Sequence, residues 1–429
     1  MSDLKRKISK LGKTGFFSIF VSNIFSKVIS FLGGIILVHI FTKNTYGVYA
    51  AVINAVTILY LLNDFGASTA ALQFLTEAQK NKDKQQLILK FALKIGVIGS
   101  LFSGLLILLS PLFFPFKIEG AKYLTPLLCL EPFFTNITYF ISSLLRANQE
   151  NNKYAILEFS KTFFNYGFLI VGAIFFGLKG AIISRYFYII LSLIIGLILS
   201  SKLIKLTKNK KQLPKKEKKE FLNYSIITQL SSTLSGILLN IDLFLIGIII
   251  ATTTSIANYK VASTIPFALS FLPTCVTIYI LPYFISHKDD KKWVKSNHRK
   301  LIKYGAIFYG FISIVLIVFA KPLFSIIYTS AYLDAVLPFQ ILIIGFFFSS
   351  TFVIPTNNIF ASMRKVKINL IITIISAILN FFMNILFINC FGIVGAAITT
   401  TAISIISSLI QILYANKLLK IREEENNIN

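Results

Sequence analysis

The chain has 429 residues, of which 55% are hydrophobic and only 14% charged, and its mean hydropathy is +0.75. That excludes an ordinary soluble globular protein. The net charge of +26 then becomes a matter of membrane topology rather than nucleic-acid binding, because most of the lysines lie in short stretches between apolar runs.

Twelve apolar runs are long enough to cross a bilayer, at roughly 16–40, 46–66, 91–115, 123–146, 155–176, 180–201, 221–249, 256–285, 304–328, 335–360, 368–389 and 393–416. The first is too long for a cleaved signal peptide and lacks a small-residue cleavage site. It carries one charge, Lys27, eleven residues in, which is about 16 Å of helix and so close to the midplane of a hydrocarbon core about 30 Å thick. Asn23, Lys27, Ser30 and Gly34 recur at helical spacing and share one face. Further polar stripes run through span 5 (Glu158, Lys161, Asn165), span 7 (Gln229, Ser232, Gly236, Asn240), span 8 (Ser263, Ser270, Thr274, Thr277) and span 11 (Asn369, Thr373, Ser376, Asn380, Asn384). Any one stripe is most simply helix–helix glue; stripes in both halves together with a central lysine favour a hydrated cavity.

Of the 43 lysines and arginines, 33 fall in the termini and alternate connections that belong to one side, and four in the connections of the other. By the positive-inside rule both termini are cytoplasmic. The long basic stretch at 202–220 is a solvated linker that separates residues 1–201, an N-terminal six-helix bundle, from residues 221–429, a C-terminal six-helix bundle with a cytoplasmic tail. The halves match in register. Ser143-Leu144-Leu145-Arg146 parallels Ala361-Ser362-Met363-Arg364, the joint at Gly177 to Ile183 parallels that at Gly392 to Ile398, and Tyr49 parallels Tyr259. An even number of spans per half makes this a parallel repeat. The expected fold is an all-α polytopic membrane protein: twelve transmembrane helices in two duplicated bundles around a central cavity.

Six cations lie within spans, Lys27, Lys94, Lys161, Arg185, Lys260 and Lys321, and only Lys27 is central. Lys94, Lys260 and Lys321 are near enough to span ends to snorkel, and Lys161 is spaced to pair with Glu158. The intramembrane acids are Asp64, Glu131, Glu158 and Asp242. Two readings of Lys27 stay open: an ion pair with Glu131 or Asp242, or a ligand for an anionic group in a low-dielectric cavity. His39, His287 and His298 form no metal-ligand pattern, no Gly-rich phosphate loop is present, and Cys129, Cys275 and Cys390 lie far apart. The outer connections are too short to hold catalytic residues, which disfavours a membrane glycosyltransferase or polymerase.

Several segments in order resemble a known family. Thr45-Tyr46-Gly47-Val48-Tyr49 enters span 2, Asp64-Phe65-Gly66 ends it, and Asn240-Ile241-Asp242-Leu243-Phe244-Leu245-Ile246-Gly247 lies in span 7. Asn380 to Asn384, followed by Gly392-Ile393-Val394-Gly395-Ala396-Ala397, covers spans 11 and 12. Over nearly its whole length the chain resembles the Wzx-type oligosaccharide flippases, the polysaccharide biosynthesis proteins of the multidrug/oligosaccharidyl-lipid/polysaccharide exporter superfamily. Gln73 departs from the arginine common after span 2, and Ala257 from a glycine common in the turn between spans 7 and 8. The resemblance implies movement of an undecaprenyl-diphosphate-linked oligosaccharide from the inner to the outer leaflet of a bacterial cytoplasmic membrane by alternating access. It implies a transporter rather than an enzyme, with membrane lipids, a polysaccharide polymerase and glycosyltransferases as partners and no nucleic acid. Under it Lys27, with Arg185 and Lys260, attracts the diphosphate, and Asn23, Asn240, Asn380 and Asn384 bind sugar hydroxyls. No cofactor or metal is expected; Glu131 and Asp242 are candidates for proton or sodium coupling or for an internal ion pair. The alternative within the same superfamily is a multidrug/cation antiporter.

Overall fold

A computed structural model describes residues 16–203, 212–363 and 365–419, which form two compact units, 1–237 and 238–429. Outside the described residues lie the basic N-terminus up to residue 15, residues 204–211 of the basic stretch, Arg364 of the repeated motif and the tail from Lys420.

Unit 1 begins with α1, Phe16–Ile40, and α2, Lys43–Leu59. Thr42 caps α2 by accepting from the Thr45 N–H at 3.2 Å, filling one of the donors a helix start leaves open. A 3-10 turn at Tyr60–Leu62 follows, and span 2 stops there, short of the predicted 66. The reason is Asp64-Phe65-Gly66. Phe65 and Gly66 take positive φ (50° and 78°), and the Asp64 carboxylate accepts from the N–H groups of Gly66 (3.0 Å) and Ser68 (2.9 Å). Only glycine fits here, since a Cβ on residue 66 would lie 2.2 Å from the Ser225 carbonyl oxygen. The turn starts a helix the sequence reading did not separate, α3, Ala67–Glu77. Then come α4, Lys82–Phe113, and the fourth span, which is broken: α5, Glu119–Leu124, a 3-10 turn at Thr125–Leu128, and α6, Glu131–Ala147, bent by 48°. Gly96, Gly99, Ser100, Ser103 and Gly104 of α4 are buried. Asn136 of α6 donates to the Gly96 carbonyl, the close small-residue packing that replaces the hydrophobic effect inside lipid. α7, Asn151–Ser200, closes the unit's core. A straight helix of that length would reach about 75 Å; instead Gly177 (φ 60°, ψ −146°) turns the chain and gives two limbs, 151–176 and 178–200, matching predicted spans 5 and 6.

α8, Lys215–Ile249, contains the division between the units. The predicted boundary lay in the basic stretch, but the early part of α8 packs within unit 1. Phe221 is fully buried among Phe74 and Phe91, Lys84 pairs with Glu217 at 3.0 Å, and the Leu61 carbonyl accepts from Gln229 and, at 2.9 Å, from Thr233. Phe221 buries a large apolar ring there, and the Leu61 carbonyl, freed at the end of span 2, finds its donors in α8.

Unit 2 continues with α9, Thr253–Leu269, and α10, Phe271–Ser286, which together make span 8. Thr252 caps α9 as Thr42 caps α2, accepting from the Ser255 N–H at 3.4 Å. α11, Lys291–Val318, ends ten residues before the predicted end of span 9, and the remainder is a separate short helix, α12, Ala320–Ile327. Span 10 is α13, Val336–Phe348, and α14, Ile354–Ser362, joined by a π-helical turn at Ser349–Val353. α15, Val366–Leu418, folds back at Gly392 (φ 60°, ψ −138°) into limbs 366–391 and 393–418. Polar contacts tie the second limb down: Thr401 donates to the Ile341 carbonyl at 2.7 Å, and Ser407 meets Ser376 at 2.9 Å. Among the described residues nine helices are long and apolar enough to cross a membrane, ten with the bent fourth span. Two of those fold back at glycine, which is consistent with twelve spans.

Candidate functional site

Each unit holds one buried polar centre built where its helices meet. In unit 1, Arg185 on the second limb of α7 makes a bidentate pair with Glu131, its Nε donating to Oε2 at 2.9 Å and its Nη2 to Oε1. Glu131 is buried and Arg185 half-buried, with side chains 7% and 15% exposed. Glu131 sits in the first turn of α6, where the free N–H groups and the helix dipole favour a carboxylate. The guanidinium also lies 5.9 Å from the centre of the Tyr188 ring. The next residue, Tyr186, secures the break in the fourth span: its hydroxyl donates to the Leu127 carbonyl at 2.6 Å and accepts from the Leu130 N–H at 3.2 Å. A helix interrupted inside a membrane frees such backbone groups, and they need partners.

Lys27 is paired with neither Glu131 nor Asp242; among the described residues its ammonium has no hydrogen bond or ion pair. It is exposed on α1, as is Asn23. The packed face of α1 is a different one. There Ser22 donates to the Ala155 carbonyl at 2.8 Å, and Gly33 lets the Tyr166 ring lie against the backbone. A third face exposes Phe25, Val28, Leu32 and Ile36. At 100° per residue Leu32 and Ile36 point about 140–180° away from Lys27. The helix therefore offers an apolar stripe suited to lipid and, on the opposite side, a polar stripe centred on a lone cation.

In unit 2 the centre is Asp242. Its Oδ2 accepts from the Tyr259 hydroxyl at 2.6 Å and from Thr400, and its Oδ1 accepts from Asn384 Nδ2 at 2.7 Å. Asn384 also donates to Asn380 Oδ1 at 3.0 Å. The four helical segments involved are α8, α9 and the two limbs of α15. Asp242, Tyr259, Asn380 and Asn384 are all buried. None of the partners is charged, so an ionised Asp242 leaves a net negative centre in a low-dielectric place. Asn384 Oδ1 is buried with no hydrogen-bond partner. A carboxylate, a free amide oxygen and a hydroxyl oxygen are hard oxygen donors, fit for a proton or a small monovalent cation. No cluster of three or more His, Cys, Asp or Glu occurs among the described residues.

Two further candidates, Asn240 and Lys260, lie next to the Asp242 centre in sequence. Asn240 is half-buried, two residues from Asp242 and so on another side of α8. Lys260 is exposed beside Tyr259 on α9. Thr400 was not picked out from the sequence, although it lies 215 residues after Arg185, the spacing that also relates Gly392 to Gly177. The Glu158–Lys161 pair expected from spacing is present at 2.6 Å.

Two duplicated sets of apolar helices, each with a buried polar centre, define an all-α, multi-pass membrane protein. The chain belongs to the polysaccharide biosynthesis protein family, which it matches over residues 36–337. Its fold is that of a lipid II flippase MurJ in an inward closed conformation, at TM-score 0.75 and 16% identity over 95% of this chain and 88% of that one. A multidrug resistance MATE family transporter of the MOP superfamily, in its inward-facing conformation, aligns at TM-score 0.68 and 14% identity over 92% of this chain and 94% of that one. In sequence, the uncharacterized membrane protein MJ1068 of Methanocaldococcus jannaschii is 24% identical over 420 residues, covering 91% of this chain and 81% of that one. The family match bears out the polysaccharide biosynthesis resemblance read from the sequence, and the solved structures bear out the fold it implied.

Proposed function

We propose that the protein carries a lipid-linked oligosaccharide, built on undecaprenyl diphosphate, from the inner to the outer leaflet of a bacterial cytoplasmic membrane, with both termini cytoplasmic. The observation that carries this reading is Lys27: a cation without a partner among the described residues, near the middle of α1 and on the side opposite its lipid-type stripe. A cation kept there without a partner is costly unless it meets an anion or water, and a diphosphate is such an anion. Exposed Asn23, one turn away, presents an amide to the adjoining sugar hydroxyls. Arg185 contributes less, because Glu131 already neutralises it.

Transport against a gradient needs an energy source, and Asp242 is the group placed to supply it. Its neutral donors and the free Asn384 oxygen suit a proton or sodium ion whose binding neutralises the site. Glu131 is spoken for by Arg185. Polymerase and glycosyltransferases of the same pathway are the natural partners.

Cells lacking the protein should accumulate the lipid-linked glycan in the inner leaflet, as read by leaflet-resolved analysis. The Lys27→Ala variant, present at normal level, should lose surface polysaccharide. Unchanged leaflet distribution in the deletion, or normal polymer from Lys27→Ala, overturns the reading.

A further inference from the structure

Within unit 1, α1, α6 and the two limbs of α7 line an open-sided cavity of about 330 Å³, at the lower end of the range for small-molecule sites. Every residue that lines it lies well inside its helix rather than at an end. Three tyrosines, Tyr139, Tyr166 and Tyr188, contribute to its walls. Glu158 and Lys161 form a pair at 2.6 Å on one side, and Ser142 donates to the same carboxylate oxygen at 2.9 Å. The other oxygen, Oε2, has no donor among the described residues. Thr135 Oγ1, Asn165 Oδ1 and Ser192 Oγ are buried and have no hydrogen-bond partner. All three residues line the cavity.

Unpartnered buried polar atoms in one place ask for a ligand that brings its own donors and acceptors. The cavity's charges cancel, so it does not suit a diphosphate or a metal ion. It is too polar for a prenyl chain. Aromatic faces beside hydroxyl, amide and carboxylate groups suit a pyranose, whose C–H faces lie on rings and whose hydroxyls both donate and accept. Ser30 of α1 also lines the cavity, and Lys27 is one turn away on the same face, about 5 Å along the helix. We propose that this cavity is the subsite for one neutral sugar, the residue bonded directly to the diphosphate, which Lys27 holds. This rests on the flippase reading and adds to it a place for the first sugar.

The test uses the full chain in nanodiscs and saturation-transfer NMR with methyl glycosides of each neutral monosaccharide released by hydrolysis of the source cell's surface polysaccharide. At least one glycoside should bind. The triple variant Thr135→Val, Asn165→Leu, Ser192→Ala should weaken it at least about tenfold. Its melting temperature should equal or exceed that of the unaltered protein, because the removed groups satisfy nothing in the fold. Glu158→Gln, which keeps the cavity's shape, should also weaken binding. No transfer to any glycoside, as for a cavity that holds water alone, overturns the proposal; so does binding unchanged in both variants, or a triple variant that fails to fold. The flippase reading is judged separately: inner-leaflet accumulation on deletion combined with no glycoside binding rejects the subsite and leaves the transport reading standing.

Discussion

Glu131 in unit 1 and Asp242 in unit 2 are both buried carboxylates, but they are satisfied in opposite ways. Glu131 is locked to a guanidinium by two parallel hydrogen bonds; Asp242 is held by a phenol, an amide and a hydroxyl, with no cation. The positions correspond in part. Arg185 and Thr400 each stand eight residues after the glycine that turns their limb, and Tyr49 and Tyr259 each stand near the start of their unit's capped helix. One repeated scaffold thus carries a self-neutralised centre in one copy and a centre one charge short in the other. A closed pair holds helices together. An unbalanced one is free to take up an ion, which is why the proposed coupling falls on Asp242 rather than on Glu131.

The largest expected effect comes from opening the closed pair. Arg185→Leu leaves Glu131 buried without its cation, and breaking such a pair costs about 3–5 kcal/mol. Denaturation of the purified protein should show it as a large fall in melting temperature. Adding Glu131→Leu should restore most of the loss, because two apolar groups of similar size replace a pair without orphaning a charge. A double variant as unstable as the single one would mean that Glu131 is satisfied by something other than Arg185.

Next in size is a test of the joints, which should behave alike in the two units. Gly177 and Gly392 have φ of 60° with ψ of −146° and −138°, close to a region that only glycine enters readily. A Cβ at Gly177 meets nothing within 4 Å, and at Gly392 only Ile250 at 3.9 Å. The cost of Gly177→Ala and Gly392→Ala is therefore backbone strain alone, about 1–3 kcal/mol each, and the two values should agree within about 1 kcal/mol. A much larger loss at one joint, measured by thermal melting, would show that the repeat's geometry does different work in its two copies.

Much of this was readable from residue patterns. Apolar runs marked the helices, and α1 ends where its run does. Gly177 and Gly392 stood out as matched joints. What escaped were features that depend on tertiary partners. α3 is short and rich in alanine, so it fell in the connection read between spans 2 and 3, with no apolar run long enough to mark it as a helix. α12 continued the apolar run of span 9 with no break signal but Lys321 and Pro322. Glu131 and Arg185 were each singled out, yet 54 residues and a bent span separate them, and no local periodicity pairs them. Thr400 hid inside Thr399-Thr400-Thr401, where only the folded chain selects the hydroxyl that reaches Asp242. The unpartnered atoms of Thr135 and Ser192 were equally silent, since the lack of a partner is a property of packing.

The smallest effect on stability should come from the change with the largest effect on coupling. Asp242→Asn keeps one oxygen to accept from Tyr259 and Thr400 but turns a new amide donor toward the Asn384 donor. Rotating the Asn384 amide by half a turn lets its Oδ1 accept from the new amide but gives up the bond to Asn380 Oδ1, a loss of about 1 kcal/mol. The variant also removes a buried charge that no cation offsets. The two effects leave stability within about 1 kcal/mol of the original. The proposed ion site, by contrast, loses the carboxylate charge on which it rests. In proteoliposomes the variant should melt as the unaltered protein does while its melting temperature no longer responds to sodium or, if the ion is a proton, to pH across the range where the unaltered protein responds. The sign follows from linkage: an ion that binds only the folded state raises stability as its concentration rises, and removing the site removes the slope. A response to both ions retained in Asp242→Asn would move the coupling away from Asp242, and with it the contrast between the two units. Absence of any ion response in the unaltered protein would make Asp242 a structural group like Glu131.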